Sequence, residues 1–255
     1  MTIWLTGFAL VVIVLATLAL AARYNLWRPS KPLSLPRILM YHSIRPVVSP
    51  TGRGSGIVTT PEQFAWQMDW LARHGARFVT VAQLMAADDR AHMVAITFDD
   101  GYVDNYTIAW PILQKYNAPA TIYLAPEMPG INPLTPEMVR EMSASGIEFG
   151  AHTLTHIHLP STDDATAERE IRQSRGAVQA LTGQPCSSFA YPYGKLADRH
   201  VEMVRLAGFS SAVTTKKRVM PWAKVHSLRL PRLSMLGQMN RFEFWLTITR
   251  GRYRV

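Results

Sequence analysis

The stretch Val94-Ala95-Ile96-Thr97-Phe98-Asp99-Asp100-Gly101 determines how the rest of the chain is interpreted. Its apolar run predicts a buried strand that the two acids and the glycine end. Adjacent buried carboxylates repel each other when both are ionised, and a bound cation removes that cost. One acid then serves as a metal ligand, and the other accepts a proton from water. An Asp-Asp-Gly turn without chemistry is the alternative that this stretch alone leaves open.

Two later segments indicate the same chemistry. The stretch 150–156 supplies His152 and His156, four residues apart, after another strand-like run. Residues at this spacing on one helical turn face the same side, so we expect a helical arrangement that lets both imidazoles reach one ion. A carboxylate with two histidines leaves coordination positions open, as a catalytic metal requires. The stretch 188–194 predicts a further strand that ends in the aromatic turn Tyr-Pro-Tyr-Gly.

The alternation of strand and helix patterns predicts an α/β fold with parallel strands and crossover helices. In barrels of this kind, the residues at the carboxyl ends of the strands form the site. His42, which follows the apolar run 38–41, occupies such a position, as do the segments described above. We therefore expect these residues to share one pocket.

The sequence resembles a known family in the order of three motifs: TFDDG (97–101), HTLTH (152–156) and YPYG (191–194). This order is similar to the polysaccharide deacetylase family, carbohydrate esterase family four, whose catalytic domain is the NodB homology domain. The resemblance extends from about Arg37 to the C-terminal helix. It implies a distorted (β/α) barrel and a metal-dependent N-deacetylase that hydrolyses the acetamide of N-acetylated amino sugars in a polysaccharide or cell-envelope glycan.

The same resemblance implies roles for individual residues. Asp99 resembles the general base, and Tyr193 resembles the residue whose backbone N–H helps to bind the oxyanion. Asp100, His152 and His156 resemble the metal triad. Ligand chemistry favours Zn²⁺, although Fe, Co or Ni also suits two histidines and one carboxylate.

The chain departs from the family pattern at two places. Many members carry an arginine before the Tyr-Pro pair that tethers the base, and here that position is Ala190. The late Leu-x-His motif that supplies a catalytic histidine is also missing. His42 resembles its equivalent in the circularly permuted subgroup that acts on poly-N-acetylglucosamine. We therefore expect His42 to be the general acid, with His226 as the competing candidate, and Arg232 to be the candidate replacement for the missing arginine.

Two alternative functions remain open at this stage. One is a deacylase of a lipid-linked or lipopolysaccharide sugar, which a membrane anchor and a basic C-terminus would favour. The other is a catalytically silent glycan-binding protein on the same barrel, for which Ala190 is the only argument. Release of acetate would distinguish an enzyme from the silent protein.

The N-terminus predicts a membrane anchor over residues 1–23. Residues 3–22 carry no charge, and about 20 helical residues at ~1.5 Å each cross the ~30 Å hydrocarbon layer. A signal peptide cleaved after a small residue is the alternative. Residues 24–36 are interpreted as a Pro-containing linker and 37–255 as the catalytic domain. We expect a single-pass protein of a bacterial-type inner membrane with its domain on the periplasmic, extracytoplasmic side, although the basic residues that follow the span favour the opposite orientation.

The charge of the chain bears on its partners. The formal net charge is +9, but no nucleic-acid-binding motif accompanies it, so we expect no nucleic acid partner. Basic residues cluster after the anchor and at Arg250, Arg252 and Arg254. This distribution fits contact with anionic lipid or an acidic glycan. The predicted partners are therefore an N-acetylated glycan or glycolipid and a membrane.

Overall fold

Strands and helices alternate along the chain from residue 37 onward. The computed structural model describes residues 2–24, 26–46, 55–237 and 239–251, so Arg252 and Arg254 of the basic C-terminus lie outside the described residues. The strands are β1 (Arg37–Tyr41), β2 (Ser43–Ile44), β3 (Val58–Thr59), β4 (Arg77–Val79), β5 (Met93–Asp100), β6 (Thr121–Leu124), β7 (Glu148–Ala151), β8 (Ser188–Ala190), β9 (Ser211–Val213) and β10 (Leu233–Ser234). The helices are α1 (Thr2–Tyr24), α2 (Pro61–Arg73), α3 (Val81–Ala86), α4 (Trp110–Gln114), α5 (Pro136–Ala144), α6 (Asp164–Thr182), α7 (Asp198–Leu206) and α8 (Arg241–Arg250).

One curled sheet of eight strands forms the centre of the fold. Its order is β10-β1-β5-β6-β7-β8-β9, β4 pairs additionally with the start of β5, and the pairings among the described residues are parallel. The segment 230–234, which contains β10, connects β9 to β1, because Leu230 forms a parallel bridge to Val213 and Leu233 pairs with Leu39. The result is the distorted (β/α) barrel of the NodB type that the sequence predicted.

Side chains of β5 alternate between the two faces of the sheet, as in any strand. Ile96 and Phe98 pack into the larger apolar cluster, which also contains core residues of the helices. Met93 and Ala95 belong to a smaller cluster with interior residues of other strands. This alternation directs Asp99 to the interior of the barrel, where it is 2% exposed. Full burial of a side chain such as Phe98 stabilises the fold by roughly 1.5–3 kcal/mol.

Several helix boundaries follow from local capping. Thr60 and Thr135 accept hydrogen bonds from the third backbone N–H of α2 and α5, as their Thr-Pro-Glu starts predict. Helix α6 is capped by Asp163, whose side chain accepts a hydrogen bond from the Thr166 N–H, and not by the preceding Ser161-Thr162 pair, whose residue types would also predict a cap.

The helical spacing of Trp110, Leu113 and Tyr116 predicts a helix over 103–116, and most of this segment is helical, although not as one regular α-helix. The segment begins as a π-helix, Asn105–Ala109, before α4. Pro111 has no N–H to donate to the preceding turn, which interrupts the regular ladder at this junction.

The N-terminal region consists of α1 and an irregular segment. The portion Thr6–Tyr24 of α1 is long and apolar enough to cross a membrane, a property that a signal sequence shares. Residues 26–36 contain no helix or strand. They lie against α8, because the Lys31 N–H donates to the Thr249 carbonyl and the Arg37 guanidinium donates to the Ile248 carbonyl.

Candidate active site

The carboxyl end of β5 positions the two acids. Asp100 and Gly101 both adopt left-handed backbone conformations, with φ values of 75° and 81°. A Cβ at position 101 would also lie 2.6 Å from Leu124 Cδ2, so a larger residue would have to displace Leu124 and adopt an unfavourable backbone conformation. The left-handed conformation is uncommon for aspartate, and such backbone strain is found most often at functional sites. The turn therefore separates the two neighbouring carboxylates into different environments.

Asp99 forms a bidentate pair with Arg232. Arg232 Nη1 and Nη2 lie 2.6 and 2.7 Å from the two carboxylate oxygens, and Arg232 is fully buried. The guanidinium also donates to Thr97 Oγ1 and to the Thr214 carbonyl, which hold it in the barrel. Burial by itself would raise the pKa of Asp99, but Arg232 outweighs it and holds that pKa well below its usual range. Asp99 is therefore ionised throughout the working pH range.

His42 follows β1 and faces Asp99. Its Nε2 lies 4.0 Å from Asp99 Oδ2, and the side chain is 18% exposed. Burial lowers the pKa of His42, which Asp99 opposes by raising it. The backbone of residues 42–44 is held by Asp104 and Asn105, where the helical segment that leads into α4 begins. Asp104 accepts hydrogen bonds from the Ser43 hydroxyl and the Ile44 N–H, and Asn105 Nδ2 donates to the His42 carbonyl.

The other candidate acid, His226, has a different role. Its Nδ1 accepts a hydrogen bond from the Leu228 N–H and so caps a short 3₁₀ turn. Of the two histidines, only His42 forms a contact with Asp99 in the described part of the chain.

Asp100, His152 and His156 converge on one point. Asp100 Oδ1 lies 3.6 Å from Nε2 of each histidine, and the three ligand atoms all lie within 4.8 Å of one another. Asp100 Oδ1 is buried and has no hydrogen-bond partner among the described residues. A buried acceptor facing two imidazole nitrogens is a donor set that suits a divalent cation. These three residues therefore fit the metal that the sequence predicted.

The shifted pKa values of these three side chains also fit a bound cation. Burial, and then the neighbouring charge of Asp99, raises the pKa of Asp100 to about 7. Burial lowers the pKa of His152 to about 3 and also lowers that of His156. Both histidines are therefore neutral near pH 7, which is the form that binds a metal. A positive ion would relieve the cost of ionising Asp100.

The two histidines are not on a helix, so the predicted local conformation was wrong. Strand β7 ends at Ala151, and residues 152–158 contain no helical turn. Thr153 and His156 instead adopt left-handed conformations, with φ values of 61° and 58°. This loop folds the chain back so that the imidazole centroids lie 4.8 Å apart. The i,i+4 spacing brought the rings together as expected, but through a loop.

Glu170 of α6 holds that loop in place, and the sequence analysis missed it. Its Oε2 accepts hydrogen bonds from the backbone N–H groups of Leu154 and Thr155, and its Oε1 accepts one from the Thr155 hydroxyl. The residue is 6% exposed. A glutamate in a helix with many charged residues resembles a surface position, and the only signal against that is its helical spacing from Ala167, Ile171 and Ser174, which places it on the buried face.

We expect Glu170→Ala to weaken metal binding. Alanine removes both acceptor oxygens from the Leu154 and Thr155 groups, so the loop between the ligands loses its support. Changes to groups that orient metal ligands typically reduce affinity by about 10–100-fold. Competition with a chelator measures this affinity. Glu168→Ala is the matched control, because Glu168 is half exposed on the same helix and pairs with Arg172 on the surface. Equal affinities of the two variants would contradict the role of Glu170.

Strand β8 and the turn that follows it complete the site. The Ala190 carbonyl lies 2.7 Å from His152 Nδ1 and accepts a hydrogen bond from the Nδ1–H, which leaves Nε2 free as the ligand atom. Tyr193 has a left-handed φ of 60°, its ring lies 4.6 Å from that of His156, and it is 56% exposed. The structure therefore places every residue of the predicted site at the same end of the barrel.

Comparisons with known proteins agree with this geometry. The family model described as polysaccharide deacetylase matches residues 86–212. The Bacillus subtilis protein YxkH, whose name includes polysaccharide deacetylase, is 32% identical over 195 residues, which cover 74% of this chain and 67% of that protein. A poly-β-1,6-N-acetyl-D-glucosamine N-deacetylase of Staphylococcus epidermidis is 27% identical over 194 residues, covering 68% and 66%. The solved structure of the Streptococcus pyogenes deacetylase PplD in complex with acetate has a TM-score of 0.73 at 27% identity, covering 86% of this chain and 99% of that one.

The family match includes most of the site. Asp99, Asp100, His152, His156 and Tyr193 all lie within the matched residues 86–212, whereas His42 and Arg232 lie on either side of them. The similarity to YxkH and PplD extends over most of the chain. The chain belongs to the polysaccharide deacetylase family, whose members are hydrolases that act on carbon–nitrogen bonds.

Proposed function

We propose that this protein is a metal-dependent N-deacetylase that hydrolyses the acetamide of N-acetylated amino sugars in a polysaccharide or cell-envelope glycan. One observation carries the proposal: Asp100, His152 and His156 converge on one point. Beside them lies Asp99, which is paired with Arg232. A relative named as a poly-β-1,6-N-acetyl-D-glucosamine N-deacetylase supports N-acetylglucosamine polymers as the substrate class.

Asp100, His152 and His156 would hold the metal. Zn²⁺ is our proposal on ligand chemistry, and Fe, Co and Ni are the alternatives to test. When bound, the cation acts as a Lewis acid that polarises the acyl carbonyl and activates water.

Asp99 and His42 carry out the two proton transfers, and Tyr193 contributes to binding of the oxyanion. Asp99, held ionised by Arg232, accepts a proton from the attacking water. His42 protonates the departing amine, and the neighbouring Asp99 carboxylate opposes the effect of burial on the His42 pKa and so favours the protonated imidazole that this step needs. The Tyr193 backbone N–H stabilises the oxyanion that forms on the acyl carbon. Water and the amide are thereby converted to acetate and the free amine.

Metal affinity should depend on pH through Asp100. The pKa of this buried acid is raised to about 7, whereas those of both histidines are lowered. Protonation of Asp100 is therefore the first to compete with the metal as the pH falls below about 7. We expect affinity to rise about tenfold per pH unit up to about pH 7 and to level off above it. Without metal the sign reverses: the stability that protonated Asp100 contributes is lost as the pH rises through about 7. Chelator competition across this range measures the slope, and an affinity independent of pH below 7 would contradict it.

Acetate release tests the proposed function and separates it from the alternatives. The metal-loaded protein is assayed on N-acetylglucosamine oligomers and, in parallel, on an N-acetylated lipid-linked sugar. We expect release from the oligomers. Preferential release from the lipid-linked sugar would indicate the glycolipid deacylase, and binding of either without release would indicate a silent glycan-binding protein.

We further propose that α1 is retained as a single-pass anchor in a bacterial-type inner membrane, with the catalytic domain on the extracytoplasmic side. The length and hydropathy of Thr6–Tyr24 support an anchor, and envelope glycans as substrates support this orientation. Arg23, Arg28 and Lys31 argue for the opposite orientation under the positive-inside rule. Protease protection of the domain in sealed spheroplasts would contradict the extracytoplasmic placement.

A further inference from the structure

The end of α1 is in contact with the C-terminal helix α8. The rings of Tyr24 and Phe242 pack edge to face with centroids 5.5 Å apart, and Phe242 stacks on Trp245 at 5.9 Å. Phe242 and Trp245 are nevertheless 47% and 38% exposed. Tyr24 at the end of α1 therefore lies next to a solvent-exposed aromatic surface formed by Phe242 and Trp245.

The exposed face of α8 has an unusual composition. Its exposed positions are Arg241, Phe242 and Trp245, while its one acidic residue, Glu243, is 3% exposed. The solvent side of a helix on a soluble domain is normally polar. Trp27, just beyond α1, adds another exposed aromatic ring, at 63%. The surface is thus aromatic and cationic, with no exposed acid on the helix.

Hydrogen bonds fix this face relative to the end of α1. The Arg250 guanidinium donates to the carbonyls of Leu26 and Arg28, and the Lys31 N–H donates to the Thr249 carbonyl at 2.6 Å. The segment that follows α1 is thereby held along α8. The domain and the end of the span cannot separate without breaking these bonds.

The length of the membrane-spanning part of α1 determines where this surface lies relative to the bilayer. A helix of 19 residues such as Thr6–Tyr24 is about 28 Å long, close to the ~30 Å hydrocarbon layer. When it spans a bilayer, Arg23 and Tyr24 lie at the boundary between lipid and water. Phe242, in ring contact with Tyr24, then lies at the same level. Tryptophan and tyrosine favour this boundary, and arginine is attracted to anionic headgroups there.

We propose that Arg23, Tyr24, Trp27, Arg241, Phe242 and Trp245 form an interfacial face that inserts into the headgroup region of a bilayer containing anionic lipid. The barrel is then held against the membrane in one orientation. This inference rests on the retained anchor proposed above, and it is independent of the deacetylase chemistry and of which side of the membrane the domain occupies.

Fluorophores attached to cysteine can test this face in the full chain. The single native cysteine, Cys186, is buried at 1% exposure, so it provides an unreactive background. Phe242→Cys carries an environment-sensitive fluorophore at the face, and Trp245→Cys is a second position in case the first disturbs α8. Leu206→Cys is the matched control, because Leu206 is an exposed apolar residue at 65% on α7. Each labelled protein is reconstituted into vesicles that contain nitroxide-labelled lipid, with and without phosphatidylglycerol.

We expect several-fold stronger quenching at positions 242 and 245 than at 206, and stronger quenching in the anionic vesicles. Quenching at both face positions no stronger than at 206 would overturn the inference. A blue shift of the fluorophore emission that grows with protein density, without quenching by the labelled lipid, would also overturn it. That result indicates that a second copy of the chain covers this face. Equal quenching in neutral and anionic vesicles would overturn the role of the arginines. Resistance to alkaline extraction, measured on the same vesicles, reports whether α1 is inserted, so failure of the anchor is distinguished from failure of the face.

Discussion

Asp100→Ala is expected to abolish metal binding and turnover together. Asp100 supplies the only carboxylate of the proposed ligand set, and its Oδ1 faces both imidazoles. Loss of groups that merely orient ligands costs about 10–100-fold in affinity, so we expect loss of a ligand itself to cost more than about 100-fold. Metal analysis after dialysis and acetate release measure the two effects.

Unfolding must be excluded as the cause of that loss. Burial raises the pKa of Asp100 to about 7, so the ionised acid destabilises the metal-free fold at neutral pH. Metal-free Asp100→Ala should therefore melt no lower than metal-free wild type. Asp69→Ala is the control, since Asp69 lies on α2 and pairs with Arg73 at the surface. Full metal occupancy of Asp100→Ala would contradict the ligand assignment.

Asp99→Asn is expected to keep the metal but lose turnover. The amide preserves the shape of the side chain but cannot accept a proton, and general-base catalysis contributes about 10²–10⁴-fold. The fall should appear in kcat. Metal stoichiometry is the second readout, and we expect it to remain that of wild type, because Asp99 is not in the ligand set. Turnover close to that of wild type would show that another group is the base.

Arg232, the partner of Asp99, makes a loss of stability in Asp99→Asn predictable as well. Arg232 is fully buried, and removing one partner of a buried ion pair costs about 3–5 kcal/mol. Asp99→Asn should therefore lower the melting temperature. The double variant Asp99→Asn/Arg232→Gln removes both charges and should recover part of the stability without recovering turnover. Recovered turnover would contradict the assignment of the base.

The arginine that many family members carry before the Tyr-Pro pair, and that this chain lacks, has a counterpart in space. Ala190 belongs to the apolar interior cluster, together with Leu230 and Val213. The segment that carries Leu230 also carries Arg232, whose guanidinium reaches Asp99. We propose that this segment, which closes the barrel between β9 and β1, replaces the tether. This pairing joins residues 133 positions apart, so the sequence could offer Arg232 only as a candidate.

The parts of the site that the sequence predicted are those encoded locally. The apolar run before Asp99 and the threonine caps of α2 and α5 depend on neighbouring residues, so their patterns were sufficient. The loop of His152 and His156 was not predicted, because it is held by Glu170 of α6 through Leu154 and Thr155, which lie between its two left-handed residues. The clamp that Asp104 forms on the segment after His42 was missed for the same reason.

X-ray absorption at the zinc edge of the Zn²⁺-loaded protein tests the central claim most directly. The account predicts one ion per chain, bound by nitrogen and oxygen at about 2.0–2.2 Å, with outer scattering from two imidazoles that falls to one in His156→Ala. A spectrum without imidazole scattering, or one that His156→Ala leaves unchanged, would show that Asp100, His152 and His156 do not share an ion.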